Sequence, residues 1–238
     1  MKKLLIFATT IVLVSCSQIK KNEFVIAGTT PKEIADGTAV YLQKQDSLGQ
    51  FVALDTAKVK GSKFEFKNKF DDKKIEQGIA ILAVDKIEGK VQIILESGKI
   101  TVEIRKDTIT KSKVGGTASN KQLSAYTNES SKIYQQMMVF QNANLPKLEA
   151  AKAANDTITI NALMKENNVF MKSVETLGEK SLEKNPSTLL SLYLLQNATQ
   201  NPAADRTKLK KSFQALATDV KATKIGKKLG KDLGVTTK

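Results

Sequence analysis

"VGGTASNKQLSAY", residues 114–126, is where the chain changes its period. Upstream of it lie "EFVIAGT", "TAVYLQ", "FVALDTAKV", "KFEFKNKF", "GIAILAV", "VQIIL" and "KITVEIR", short runs rich in β-branched or aromatic residues and separated by Gly, Asp and Lys clusters. Alternation of apolar and polar residues over such runs marks half-buried strands. It is clearest at Phe64 and Phe66, between Lys63, Glu65 and Lys67, and at Ile100, Val102 and Ile104. Ser97-Gly98 and Gly61 each fall between successive runs and predict tight hairpins. About seven strands linked this way predict a small antiparallel β-sandwich or partly open barrel, its edges guarded by lysines.

Downstream the period becomes helical. Gly115-Gly116 reads as a linker turn that breaks the sheet, and Ser119 followed by Gln122 predicts a capping box at a helix start. Leu123, Tyr126, Ile133, Tyr134 and Met137 then share one helical face. Beyond Pro146 and a polar, alanine-rich stretch, Ile160, Leu163, Met164, Phe170, Met171, Val174, Leu177 and Leu182 keep helical spacing. Such a stripe is more often core than an adaptable binding surface, although its methionines suit both. Asn185-Pro186-Ser187 separates this helix from "TLLSLYLLQNA", apolar nearly all round and therefore expected as the buried centre of a bundle. Asn201-Pro202 predicts a cap with a first-turn proline. Leu209, Phe213, Leu216 and Val220 predict a buried face behind a lysine-rich one. In "TKIGKKLGKDLG" Ile225 and Leu229 stand on a basic background with three glycines, which predicts a frayed terminal helix, with membrane-surface contact as the other reading. The fold class expected is therefore α+β, with an antiparallel β domain over 23–114 and a helical bundle over 117–234.

The start of the chain has a separate logic. Lys2 and Lys3 precede an apolar run, Leu4 to Val14, which is shorter than the ~20 residues a helix needs to cross a bilayer. Leu13-Val14-Ser15-Cys16 fits a lipobox, in which the cysteine thiol accepts a diacylglyceryl group before cleavage. Residues 1–15 are thus expected to be a lipoprotein signal peptide, Cys16 the lipidation site and residues 16–22 a polar tether. Two or more acyl chains give stable anchoring, since each buried methylene contributes about 0.8 kcal/mol. The expected location is the cell envelope, in the outer membrane and facing the periplasm; no acidic cluster after Cys16 suggests export to the surface.

Composition narrows the chemistry. The chain has one cysteine, no histidine and no tryptophan. With Cys16 lipidated, it would have no thiolate nucleophile, disulfide or cysteine metal ligand, and it lacks the commonest general base. The net charge of +14 falls only slightly on loss of Lys2 and Lys3, and Arg105 and Arg206 are the sole arginines beside the lysines. Arginine is the residue suited to bidentate phosphate and base recognition, so no specific nucleic-acid partner is predicted. Asp71-Asp72 with Lys73-Lys74 reads as a charged loop. Asp85, Glu88 and Gly89 lack the spacing of a calcium loop. Ser124 and Ser131 lie near lysines in sequence, which does not establish a catalytic pair. No catalytic residue, cofactor or metal is assigned.

"EFVIAGT", "TAVYLQ", "LDTAKVKGSKFEF", "IILESGKITVEI", "VGGTASNKQLSAY" and "NPSTLLSLYLL" together resemble the Domain of Unknown Function 4369 family, from about Glu23 to Gly230. The resemblance implies the N-terminal region of lipid-anchored, thioredoxin-like envelope proteins, here without a thioredoxin-like domain or a Cys-x-x-Cys site. The function expected is a non-catalytic, membrane-anchored lipoprotein that binds a protein or peptide through its β domain or the groove between the halves. The alternatives are a lysine-rich module holding anionic glycan or lipid, and an accessory to a separate thiol-disulfide oxidoreductase.

Overall fold

A computed structural model describes residues 19–46, 48–71, 74–106 and 109–235. Cys16, the signal peptide and the first part of the tether lie outside the described residues, as do Asp72 and Lys73. Among the described residues eight strands form two four-stranded sheets, and six α-helices follow them. The strands are β1 (Glu23–Thr29), β2 (Ala39–Gln45), β3 (Phe51–Lys58), β4 (Lys63–Lys69), β5 (Gly78–Val84), β6 (Val91–Leu95), β7 (Gly98–Glu103) and β8 (Lys113–Gly115). One sheet has the order β4-β1-β7-β8 and the other β3-β2-β5-β6, so the domain is an open sandwich and not a closed barrel. Phe24, Ile26, Val40, Leu42, Phe64, Phe66, Leu82, Ile93 and Ile100 fill the space between the sheets.

Two expected hairpins turn out to be sheet-to-sheet crossings. Lys60 and Lys63 exchange backbone hydrogen bonds of 2.8 and 3.1 Å across Gly61-Ser62, so the turn is tight, yet β3 and β4 then diverge into different sheets. At Ser97-Gly98 no hairpin forms: β6 is an edge of one sheet, and β7 pairs in parallel with β1 in the other, Phe24 opposite Gly98 and Thr29 opposite Glu103. The Ser97 hydroxyl donates to the Lys21 carbonyl and fixes that crossing. Gly115-Gly116 is likewise more than a linker. Gly115 ends β8, paired antiparallel with β7, and at Gly116 (φ +88°) a Cβ would overlap the Lys99 carbonyl oxygen, so only glycine fits.

The helices are α1 (Ala118–Ala153), α2 (Thr157–Lys184), α3 (Leu189–Ala198), α4 (Arg206–Ala215), α5 (Thr218–Lys221) and α6 (Lys224–Leu233). The capping-box expectation is corrected: α1 begins before Ser119, and Glu96 at the end of β6 takes the capping role. Its carboxylate accepts from the Ser119 N–H at 2.8 Å and from the Ser119 hydroxyl at 2.5 Å, placing negative charge at the helix N-terminus. α1 also runs through Pro146, where the Asn142 carbonyl loses its usual donor; both residues are exposed, so water satisfies it. Asn201 opens a turn, its Oδ1 accepting from the Ala203 N–H at 3.0 Å, while Asp205 caps α4. Leu209, Phe213, Leu216 and Val220 are all buried, but extended backbone at Leu216 divides them between α4 and α5.

The last helix is packed and not frayed. Gly226, Leu229, Gly230 and Leu233 are buried, and a Cβ on Gly226 would lie 2.5 Å from the Lys221 carbonyl oxygen. Gly226 therefore permits the close approach of α5 that holds α6 in place. α3 is the buried centre, with Leu189, Leu190, Leu192 and Leu195 in a second core that takes in Ile94 from β6. That isoleucine points out of the sandwich and joins the two halves.

Candidate functional site

Polar side chains at the base of α1 tie the halves together. Asn120, fully buried, lies against the outer edge of β6: its Oδ1 accepts from the Ile94 N–H at 2.9 Å, and its Nδ2 donates to the Ile94 carbonyl at 2.7 Å and to the Thr117 hydroxyl at 2.7 Å. One side chain thus does what a fifth strand would do, and the β6 edge is protected by Asn120 and not by lysine. Gln122 donates to the Ser181 carbonyl at 2.9 Å and to the Ser181 and Ser191 hydroxyls at 3.0 Å each, and accepts from the Thr188 hydroxyl. Each of these buried groups has a partner, so the cluster is structural cement.

Beyond this base α1 and α2 leave the body as an antiparallel hairpin, α1 spanning about 54 Å at 1.5 Å per residue. Phe140 and Phe170 meet at 5.7 Å, and Gln141 donates to Asn167 at 2.8 Å, which keeps the arms together. The stripe expected as core is buried only at Leu163 and Leu182. Met164 is 58% exposed and Met171 49%, so at these two positions core is the wrong reading. The reason is geometric: two helices alone bury one narrow seam, and a stripe wider than that seam stays in water.

Where α2 passes α3 and α4 a groove of about 780 Å³ opens. Tyr126, Tyr134, Met171, Val174, Leu182, Leu194 and Leu195 line it, with Lys172, Glu175, Glu183 and Lys208 among its polar residues. Gly178 also lines it, and Leu194 and the Tyr126 hydroxyl lie 3.9 and 4.0 Å from the position a Cβ would take there. Burial pushes the Tyr126 phenol above its ordinary range, with Tyr134 adding to the effect, so the hydroxyl stays neutral. Across the groove Lys208 and Glu179 pair at 2.7 Å, and that carboxylate raises the lysine pKa.

A smaller cleft of about 490 Å³ separates the halves, lined by Phe70, Ile75, Leu189, Tyr193 and Ile225. Lys224 and Glu76 pair at its edge at 2.7 Å, and the Tyr193 hydroxyl accepts from the Ile79 N–H at 3.1 Å. Burial is the main cause of a raised Tyr193 pKa.

The sequence-predicted residues do not converge. Asp71 caps a turn, accepting from the Lys74 N–H at 2.5 Å, and Asp85 and Glu88 are exposed in the β5–β6 connection. Ser124 is half-buried on α1, Ser131 exposed, and no hydrogen bond joins either to a lysine among the described residues. Among those residues no group of three His, Cys, Asp or Glu side chains is placed to hold a metal, and no helix is long and apolar enough to cross a membrane. The family profile described as Domain of unknown function (DUF4369) matches residues 24–123. The match spans the sandwich and the first turn of α1, so it ends earlier than the resemblance to Gly230, and the groove-forming helices lie outside it. None of the curated proteins matches the chain.

Proposed function

We propose that this DUF4369-containing chain is a non-catalytic lipoprotein of the cell envelope, anchored through Cys16 with its body in the periplasm, that binds an amphipathic helix of a partner protein. The groove between α2 and the α3–α4 pair is the observation that carries this reading. Methionine is flexible and polarizable and adapts to varied apolar partners, and tyrosine offers a flat face with a polar tip. Tyr126 and Tyr134 of α1, Met171 and Val174 of α2 and Leu194 of α3 give the groove an apolar lining of the kind that receives the apolar face of a helix. Lysine and glutamate both border it, so the partner's outer face carries both charges. The lack of histidine, and of any cysteine other than Cys16, supports a binding role over a catalytic one.

Crosslinking in native envelopes tests both parts. The wild type carries acyl mass and partitions into detergent, and Cys16→Ser loses both. Met171→Glu keeps the anchor and the melting temperature but yields at least about tenfold less crosslinked partner, because a lone charge would be buried at the interface. An unacylated, soluble wild type sinks the anchor, and a partner captured equally well by Met171→Glu sinks the groove. Capture that ignores Met171→Glu and falls steeply with salt belongs instead to the lysine surface holding a polyanion.

A further inference from the structure

The parallel pairing of β1 with β7 brings the carboxyl ends of both strands to the same edge of the sheet, Thr29 beside Glu103. The chain leaves these ends in two adjacent segments, Thr30-Pro31 and Ile104-Arg105-Lys106, and between them lies a crevice of about 650 Å³ that Glu33 also lines. Three of its backbone N–H groups are already committed. The Ile104 N–H donates to the Thr29 carbonyl at 2.8 Å, the Thr30 N–H to the Ser62 carbonyl at 3.0 Å, and the Arg105 N–H to the Ser112 hydroxyl at 3.0 Å. The crevice's side chains supply the rest of its chemistry.

One of them lacks the partner that burial calls for, and two exposed ones carry charges with no ion pair among the described residues. Thr30 is 8% exposed, and its hydroxyl is buried without a hydrogen-bond partner. Buried hydroxyls are nearly always satisfied, so an orphan that lines a crevice calls for a ligand. Arg105 has no ion pair among the described residues, whereas Arg206, the other arginine, donates to the Asp232 carbonyl at 2.9 Å. Glu33 is exposed and makes no ion pair among the described residues, while Glu103 is held by Lys113 at 3.3 Å. The crevice therefore offers a guanidinium fork, an unsatisfied hydroxyl and an unpaired carboxylate.

We propose that this crevice binds a small zwitterion of the amino-acid or short-peptide class. Arg105 forks onto the ligand carboxylate, which is the bidentate geometry guanidinium favours. The Thr30 hydroxyl donates to the same carboxylate, Lys106 adds positive charge, and Glu33 accepts from the ammonium group. The site is on the sandwich and stands or falls independently of the helical groove.

The test is an NMR titration of the isotope-labelled chain from residue 16 onward with alanine and with trialanine, each beside its N-acetylated and its C-terminally amidated form. Saturable shifts at Thr30 and Arg105 are expected with at least one of the two zwitterions, and which of them binds more tightly distinguishes a free amino acid from a peptide end. Either blocked form should bind about tenfold more weakly or worse, Arg105→Lys about tenfold more weakly, and Arg105→Met not measurably. Thr30→Val separates ligand binding from a structural role: removing an unpaired buried hydroxyl leaves the melting temperature unchanged or higher while binding weakens several-fold. Absence of shifts up to about 10 mM, shifts that persist in Arg105→Met, or equal binding of the blocked forms would overturn the assignment.

Discussion

Asn120→Ala is expected to lower the unfolding free energy by about 3–5 kcal/mol, read from urea denaturation followed by circular dichroism. The substitution removes two hydrogen bonds to Ile94 and one to Thr117, all at a fully buried position. What matters is less the bonds lost than the groups left behind: the Ile94 N–H and carbonyl stay buried, and each unsatisfied group costs about 1–3 kcal/mol. Asn120→Asp keeps an acceptor for the N–H but offers nothing to the carbonyl, so it should be no less damaging once its charge is buried. A second consequence follows from the same geometry. With the edge of β6 uncovered, the variant should associate at concentrations where the wild type does not, which sedimentation would detect. A loss under about 1 kcal/mol would mean that water replaces the amide and that Asn120 is not the element closing the sheet.

Phe213→Ala should cost about 3–5 kcal/mol, and the loss should be local. Phe213 is 1% exposed in the second core, among Leu192, Leu195, Leu209, Leu216, Val220, Leu229 and Leu233. The helices it holds have 10, 4 and 10 residues. Isolated helices shorter than about 12–15 residues are marginal in water, so α4, α5 and α6 exist because they pack on α3. The cavity left by the ring should release these three first. Amide hydrogen exchange over 206–233 should quicken many-fold, while Ile26, Leu42 and Ile93 in the separate sandwich core keep their protection. Uniform loss of protection across both cores would show instead that the halves unfold as one unit.

Much of the element pattern was legible because period is a local property. Alternation at Phe64-Glu65-Phe66 fixes strand and inward face whatever the neighbour, and the all-apolar "LLSLYLL" has only a buried position open to it. Capping chemistry misled because its signature is local too. Ser119 and Gln122 match a capping box in spacing, but their hydroxyl and amide are drawn to Glu96, Ser181, Thr188 and Ser191, residues 23 to 69 positions away. At Pro146 the helix continues because solvent exposure and a long packed partner in α2 outweigh one missing hydrogen bond.

The candidate sites were the least legible part. Thr30 and Arg105 are ordinary in sequence, and the one available signal was that arginine is rare in this lysine-rich chain. Met171 was visible as part of a stripe, but whether a stripe is core or groove depends on how many helices reach it. By itself the sequence determined which segments are strands and helices and which face of each is apolar, because these follow from dihedral preference and side-chain spacing along the chain. Only the tertiary structure decided that β6 and β7 part into different sheets, that β1 and β7 lie parallel with their ends beside one crevice, and that Met164 and Met171 of the α2 stripe stay in water. Those outcomes depend on which surfaces meet after long loops have closed, and that choice is settled by the burial available in the whole fold.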